Sequence, residues 1–176
     1  SIASCKASAS LQGVPTWRYV QTLFTQPSQS LAPRLFVNLI NGGKHATYGS
    51  PIQEHQIIPD TDDVAHAYEV ACDVQHVLNI LLVEKYGEAN IGKGDEGGFM
   101  IPSVSVFEPF QLLAQAIEKA APSIPVHIGT DIAASSFYEE GRYMLEDESK
   151  NSLELLDFYD ELHKRVPLLH MVEDPF

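Results

Sequence analysis

The run Asn38-Leu39-Ile40-Asn41-Gly42-Gly43-Lys44-His45, continuing through Gln53-Glu54 into His55-Gln56-Ile57-Ile58-Pro59, decides the fold. An apolar strand from Leu35 to Ile40 empties into a Gly-Gly turn, and the loop it opens carries His45 and Glu54 before a second short strand over 55–59. A strand that ends in reactive side chains is how an α/β fold builds an active-site rim, because a rigid element then holds a loop that does chemistry. Two later segments repeat the plan: Val126 to Thr130 ends at Asp131, and Leu168 to Val172 ends at Glu173-Asp174-Pro175. Side chains alternate along a strand, so Asp131 shares a face with Gly129 and His127, and Glu173 with Met171 and Leu169. The expectation is that Glu54, Glu96, Asp131 and Glu173 converge at one end of one sheet, at the open mouth of a parallel barrel.

Composition bounds the rest. The chain has 176 residues, 44% of them hydrophobic, enough for one core and a small appendage. Its net charge of -13, with no compensating Lys/Arg cluster, argues against nucleic acid and anionic lipid as partners. Cys5 and Cys72 fit a reducing compartment, with two structural thiols in place of a disulfide. No apolar stretch has membrane-spanning length. Ser1 opens without Met or a charged leader, and the chain stops at Phe176 just after a strand, so both ends read as cut.

Taken in order, Ile2 to Ala9 reads as a short helix with no N-terminal cap, stopped by Gly13-Val14-Pro15. Trp17 to Phe24 is a second helical patch, and 25–33, with Gln, Ser and two prolines, is a linker. Asp60-Thr61-Asp62-Asp63 caps a long helix whose stripe is Val64, Ala67, Tyr68, Ala71, Val74, Leu78, Leu81 and Leu82, ending near Tyr86-Gly87. Ser105 and Glu108 suggest a capping box before a helix striped by Phe110, Leu113, Ala114, Ile117 and Ala120. After the strand to Asp131, a loop to Lys150 leads to a last helix. There Asn151 and Glu154 repeat the capping pattern, and Leu156, Tyr159, Leu162 and Val166 make the stripe. The order strand, strand, helix, helix, strand, helix, strand ends in a βαβ unit with parallel strands. It amounts to half of a TIM-like barrel, whose closed form takes about 200 residues or more.

Each reactive residue has a plain reading beside the functional one. Asp131 and Glu173 are either loop hydrogen bonders or oxygen ligands of a hard cation such as Mg²⁺; no His/Cys pattern favours zinc. Gly92-Lys93-Gly94-Asp95-Glu96-Gly97 matches a dinucleotide fingerprint only in letters, since no strand leads in and no helix follows. Its glycines instead let the backbone fold tightly enough to push Glu96 into a site, where neighbouring carboxylates would raise its pKa and suit it to general acid work; the alternative is a solvated turn. His45 and Glu54 could form two walls of a pocket, or His45 could simply tie its loop. His66, His76 and His163 read as surface residues, and His127 and His170 as strand residues without a partner. No Gly-x-Ser-x-Gly elbow supports nucleophilic hydrolysis.

Several motifs also carry a family likeness. Ser1-Ile2-Ala3 with Cys5-Lys6-Ala7, Gly13-Val14-Pro15, Asn41-Gly42-Gly43 with His45-Ala46, Gln53-Glu54, Gly94-Asp95-Glu96-Gly97-Gly98-Phe99, Asp131 with Ala133-Ala134-Ser135, and Glu173-Asp174-Pro175-Phe176 resemble enolase (phosphopyruvate hydratase) in order and near-matching spacing. The resemblance runs along the whole chain. It implies that residues 1–30 are the helical end of a small N-terminal domain and its linker, and 31–176 the first half of the C-terminal barrel. It implies reversible, Mg²⁺-dependent dehydration of 2-phosphoglycerate to phosphoenolpyruvate in glycolysis and gluconeogenesis, with a small phosphorylated acid as substrate, in a cytoplasmic homodimer. By the same resemblance Asp131 and Glu173 are two of three metal carboxylates. Glu96 is the acid that protonates the departing hydroxide, assisted by Glu54, and His45, Gln53 and Glu54 contact substrate.

The third carboxylate, the Lys base and the phosphate-holding Arg would lie outside this chain, so the chain alone should not turn over substrate. Departures inside it, His55 for Phe, Met100-Ile101 for Ala and Ser136 for Glu, suggest a divergent member. Two alternatives follow: an enolase-like interaction protein that has lost catalysis, or a relative acting on another 2-hydroxy acid or a sugar acid.

Overall fold

A computed structural model describes residues 1–24, 33–103 and 105–176. The chain divides into two compact units, Ser1–Pro33 and Arg34–Phe176. In the first, helix α1 (Ile2–Leu11) and helix α2 (Thr16–Thr22) flank Gly13, whose φ of +65° suits glycine and turns the chain. Helix α1 does have a cap: Ser1 Oγ accepts the Ser4 N–H at 3.4 Å. Helix α2 stops before Phe24, and the linker read at 25–33 falls, but for Pro33, outside the described residues.

The second unit is built on a six-stranded sheet. Strands β1 (Val37–Asn41) and β2 (Glu54–Pro59) precede helix α3 (Val64–Tyr86). Two minimal strands follow, β3 (Gly92–Lys93) and β4 (Phe99–Met100), then helix α4 (Glu108–Ala120) and strand β5 (Val126–Asp131). A separate three-stranded sheet, β6 (Tyr138–Glu139), β7 (Arg142–Leu145) and β8 (Glu148–Lys150), leads into helix α5 (Ser152–Arg165) and strand β9 (Leu169–Glu173). The main sheet runs β3-β4-β1-β2-β5-β9 and does not close. Strands β5 and β9 are parallel across α5, as the βαβ reading expects. The sheet is mixed, however, not parallel throughout: β2 runs antiparallel to both β1 and β5.

Register then does the positioning. Asn41 pairs with Glu54, Glu54 with Asp131, and Asp131 with Glu173, so one row crosses four strands at a single end of the sheet. On one face of β2, His55 and Ile57 pack toward the helices, with His55 edge-on to Phe110 of α4 at 4.7 Å. The other face carries Glu54, Gln56 and Ile58. Leu39, Ile57, Val74, Leu78, Leu82, Phe110, Leu113 and Ile128, all 1% exposed or less, form the centre of the core.

Helix caps follow local chemistry. Asp63 accepts the Ala65 and His66 N–H groups at the start of α3, which ends at Gly87 with φ +81°. Asn151 and Glu154 form the reciprocal capping box of α5. The box expected at Ser105 and Glu108 does not form. Phe107 is the cap residue, and Glu108, only 8% exposed, turns inward to pair with Lys85 of α3 at 2.5 Å. Stripes shift as well: Val64 and Tyr68 of α3 are exposed, and α5 buries Leu155, Phe158, Tyr159 and Leu162 while Leu156 faces outward. The expected loop to Lys150 holds the three-stranded sheet. His127 and His170 are not solitary either, for their rings stack at 4.4 Å, with His127 Nε2 3.8 Å from Asp60 Oδ2. No helix among the described residues is long and apolar enough to cross a membrane.

Candidate active site

Two glycines set the loop after β1. At Gly42 a Cβ would lie 2.1 Å from the Ile52 carbonyl oxygen and 2.4 Å from that of Ser50, and Gly43 has φ +49°. The Gly42 and Gly43 N–H groups, each 2.8 Å from its acceptor, bond the Gln53 and Ser50 carbonyls and pinch the loop shut at its base. His45 then sits on a single helical turn, Gly43–His45, beside the first residue of β2.

The glycine-rich loop closes from the other side. Gly94 and Gly98 stack against the buried side chain of Asn41, where a Cβ would stand 2.6 and 2.2 Å from its atoms. The Gly94 N–H bonds the Gly98 carbonyl at 2.9 Å, and the Asp95 N–H reaches the His45 carbonyl at 3.3 Å. Glu96 is thereby carried over β1, where Asn38 Nδ2 donates to Glu96 Oε2 at 2.9 Å.

Three of the expected site residues meet there. His45 Nδ1 lies 3.5 Å from Glu54 Oε1 and 3.5 Å from Glu96 Oε2. One ligand atom from each of the three falls within 4.8 Å of the others, the one such group among the described residues. Glu54 is mostly buried, and burial pushes its carboxyl above the usual range; the nearby charges of Glu96 and Asp131 push the same way, against a hydrogen bond from Gln56. The carboxyl that burial raises is thus Glu54, the partner of Glu96 in this group.

Gln53 and Asp131 form a second group, with Gln53 Nε2 donating to Asp131 Oδ2 at 3.2 Å. Asp131 Oδ1 accepts the Ala133 N–H at 2.9 Å, which holds the carboxylate still. Glu173 is exposed at the end of β9 and is placed beside Asp131 by register. Neighbouring strands lie about 4.8 Å apart, a separation at which two carboxylates can reach one ion. Two carboxylates side by side form a hard-oxygen donor set, which fits a hard divalent cation such as Mg²⁺.

Three amides escaped the sequence reading: Asn38 on Glu96, Asn41 under the glycines, and Gln56 on Glu54 at 2.6 Å. A signal for them exists, since Asn38 and Asn41 interrupt an apolar strand and Gln56 shares Glu54's strand parity.

Comparison with known proteins agrees with this architecture. Residues 29–176 match the enolase C-terminal TIM barrel domain family. The chain is 35% identical to an enolase of Methanocaldococcus jannaschii over 100% of its own length and 41% of that protein. It is 36% identical to an enolase of Methanopyrus kandleri over 99% of its length and 41% of that protein. With an enolase of Methanosarcina barkeri it shares 37% identity over 100% of its length and 40% of that protein. The chain thus spans about two fifths of the length of the curated relatives it matches. With a family match over the whole sheet, and an unclosed sheet of the corresponding partial extent, the chain belongs to the enolase family.

Proposed function

We propose that this chain is the first half of the barrel of an enolase, preceded by the end of a small N-terminal domain over 1–30, and that the full-length protein reversibly dehydrates 2-phosphoglycerate to phosphoenolpyruvate. The observation that carries the reading is the meeting of His45, Glu54 and Glu96 at the same sheet end as Asp131 and Glu173. Dehydration requires a proton to leave the carbon beside a carboxylate and a hydroxide to leave the next carbon. Glu96 and Glu54 share a proton at the site, and Glu96 delivers it to the departing oxygen. The burial of Glu54 supports the shared proton, because a carboxyl kept protonated at higher pH can still pass it on. His45 and Gln53 orient the substrate.

Asp131 and Glu173 would hold Mg²⁺, whose charge would stabilise the extra negative charge formed beside the substrate carboxylate. Gln53 and the Ala133 N–H fix the Asp131 carboxylate for that purpose. The protein works as a cytoplasmic homodimer, and the Lys base and phosphate-holding Arg come from outside this chain. The test is phosphoenolpyruvate absorbance in a Mg²⁺-containing assay of the full-length protein. Wild type should form product, and Glu96→Gln should lose about 100-fold or more in rate. Wild-type protein that forms none would leave the enolase-like interaction protein or another acid substrate as the reading.

A further inference from the structure

Gln56 stands two residues beyond Glu54 on β2, on the same face of the strand. Its Nε2 donates to Glu54 Oε2 at 2.6 Å, while its own Oε1 is buried without a hydrogen-bond partner among the described residues. The side chain has room because Gly129 occupies the paired position on β5; a Cβ there would come within 3.2 Å of Gln56 Oε1.

Filling the interior does not account for this amide. A buried acceptor with no donor costs free energy, and Met, of the same length and suited to the neighbouring Ile58 and Met171, would remove that acceptor; the one bond it would give up is the donation to Glu54 Oε2. What the amide does is occupy one oxygen of Glu54. The other oxygen, Oε1, then faces His45 Nδ1 at 3.5 Å. We propose that Gln56 is a positioning residue of the candidate site, clamping Glu54 Oε2 so that Oε1 is presented to His45 and Glu96.

This rests on reading Glu54 as part of the proton-handling pair. Without the clamp the carboxyl is free to rotate about its terminal bond, and alignment is lost where it matters most, in the transition state. In the full-length protein, Gln56→Met should lower kcat about tenfold or more, leave KM within about twofold, and change the thermal midpoint little, because losing the donor to Glu54 Oε2 offsets removing the unpaired Gln56 Oε1. A side chain that only fills the interior would not separate rate from stability in that way, and kcat within about twofold of wild type overturns the proposal.

A second measurement does not depend on turnover. With ¹⁵N-labelled glutamine side chains in the full-length protein, one Gln56 Nε2 proton should resonate downfield and exchange slowly. Both properties should disappear in Glu54→Leu. A Gln56 signal unaltered by that substitution overturns the clamp. Wild-type protein that makes no phosphoenolpyruvate overturns the proposed function instead, and the amide signal still decides the clamp.

Discussion

His55 gives the fold a pH dependence that one substitution should remove. Its ring is fully buried, Nδ1 lies 3.1 Å from the Ile40 carbonyl oxygen, and Nε2 has no partner among the described residues. Since the carbonyl can only accept, the hydrogen sits on Nδ1 and Nε2 is a bare acceptor in an apolar core. Protonating it would place a charge there, so burial lowers the pKa from 6.5 to about 4. The folded value lies below the unfolded one. The stabilisation is therefore complete above about pH 6.5 and is lost as pH falls toward about 4. At about 1.4 kcal/mol per unit the whole window amounts to about 3 kcal/mol, most of which is gone by about pH 4.5.

His55→Phe keeps the edge contact with Phe110 and removes the titration. It loses the bond to the Ile40 carbonyl, worth about 1 kcal/mol, and offsets that by deleting the orphaned nitrogen. The two proteins should be nearly equal in stability near pH 7, and the variant should be more stable by about 2 kcal/mol near pH 4.5. Urea unfolding at both pH values measures this; the wild-type-to-variant difference is the quantity to read, because the carboxylates titrate in both proteins. A difference that stays within about 0.5 kcal/mol between the two pH values would refute a neutral, charge-excluding His55.

Neighbouring glycines should respond unequally to alanine. Gly98→Ala drives a Cβ to 2.2 Å from Asn41 Oδ1 and should lower stability by about 1–3 kcal/mol while freeing Glu96, whereas Gly97→Ala meets nothing within 4 Å and should cost only about 1 kcal/mol for its φ of +81°; thermal unfolding separates them. Asn151→Ala removes the acceptor of the Leu153 and Glu154 N–H groups and should cost about 1 kcal/mol in denaturant unfolding. The register of α5 is tested by adjacent leucines: Leu155→Ala, at a fully buried position, should cost about 2–5 kcal/mol, and Leu156→Ala, 48% exposed, less than about 1. Equal losses at the two leucines would mean that the helix is rotated.

What the sequence made legible is what local chemistry decides. Asp63, Gly87 and the Asn151–Glu154 pair mark helix ends through bonds to their own backbone, and these ends appear where expected. The errors fall where a distant partner outweighs a local preference. Glu108 leaves its capping box because Lys85 on another helix offers a charge in a nearly dry place. Leu156 and Leu155 both belong to an apolar stripe by periodicity, and only packing settles which of them the core takes. The strands β6 to β8 look like loop in the sequence because each is too short for alternation to show. Of the candidate site, the residue types and strand ends were legible, but the amides of Asn38 and Gln56 acquire a role only when a carboxylate from elsewhere, or from two residues back, arrives beside them.

The convergence of the acids rests on the reversal of β2. Glu54 is the first residue of its strand, whereas Asp131 and Glu173 are the last of theirs. Had β2 run parallel to β5, Glu54 would lie at the opposite end of the sheet, about 17 Å away at 3.4 Å per residue, and no side chain spans that distance. The direction is dictated by the connection from Gly42 to Gln53. A parallel crossover needs a dozen or more residues and usually a helix, and this segment, with Gly42, Gly43, Gly49 and Pro51, builds only the single turn at Gly43–His45. Its base is pinched by the Gly42 and Gly43 N–H groups, so the chain turns straight back along β1. The same pinch that reverses the strand lifts His45 over Glu54. One turn therefore sets both the topology and the site, which is why the Gly-Gly pair, more than any acid, fixes where the chemistry can be.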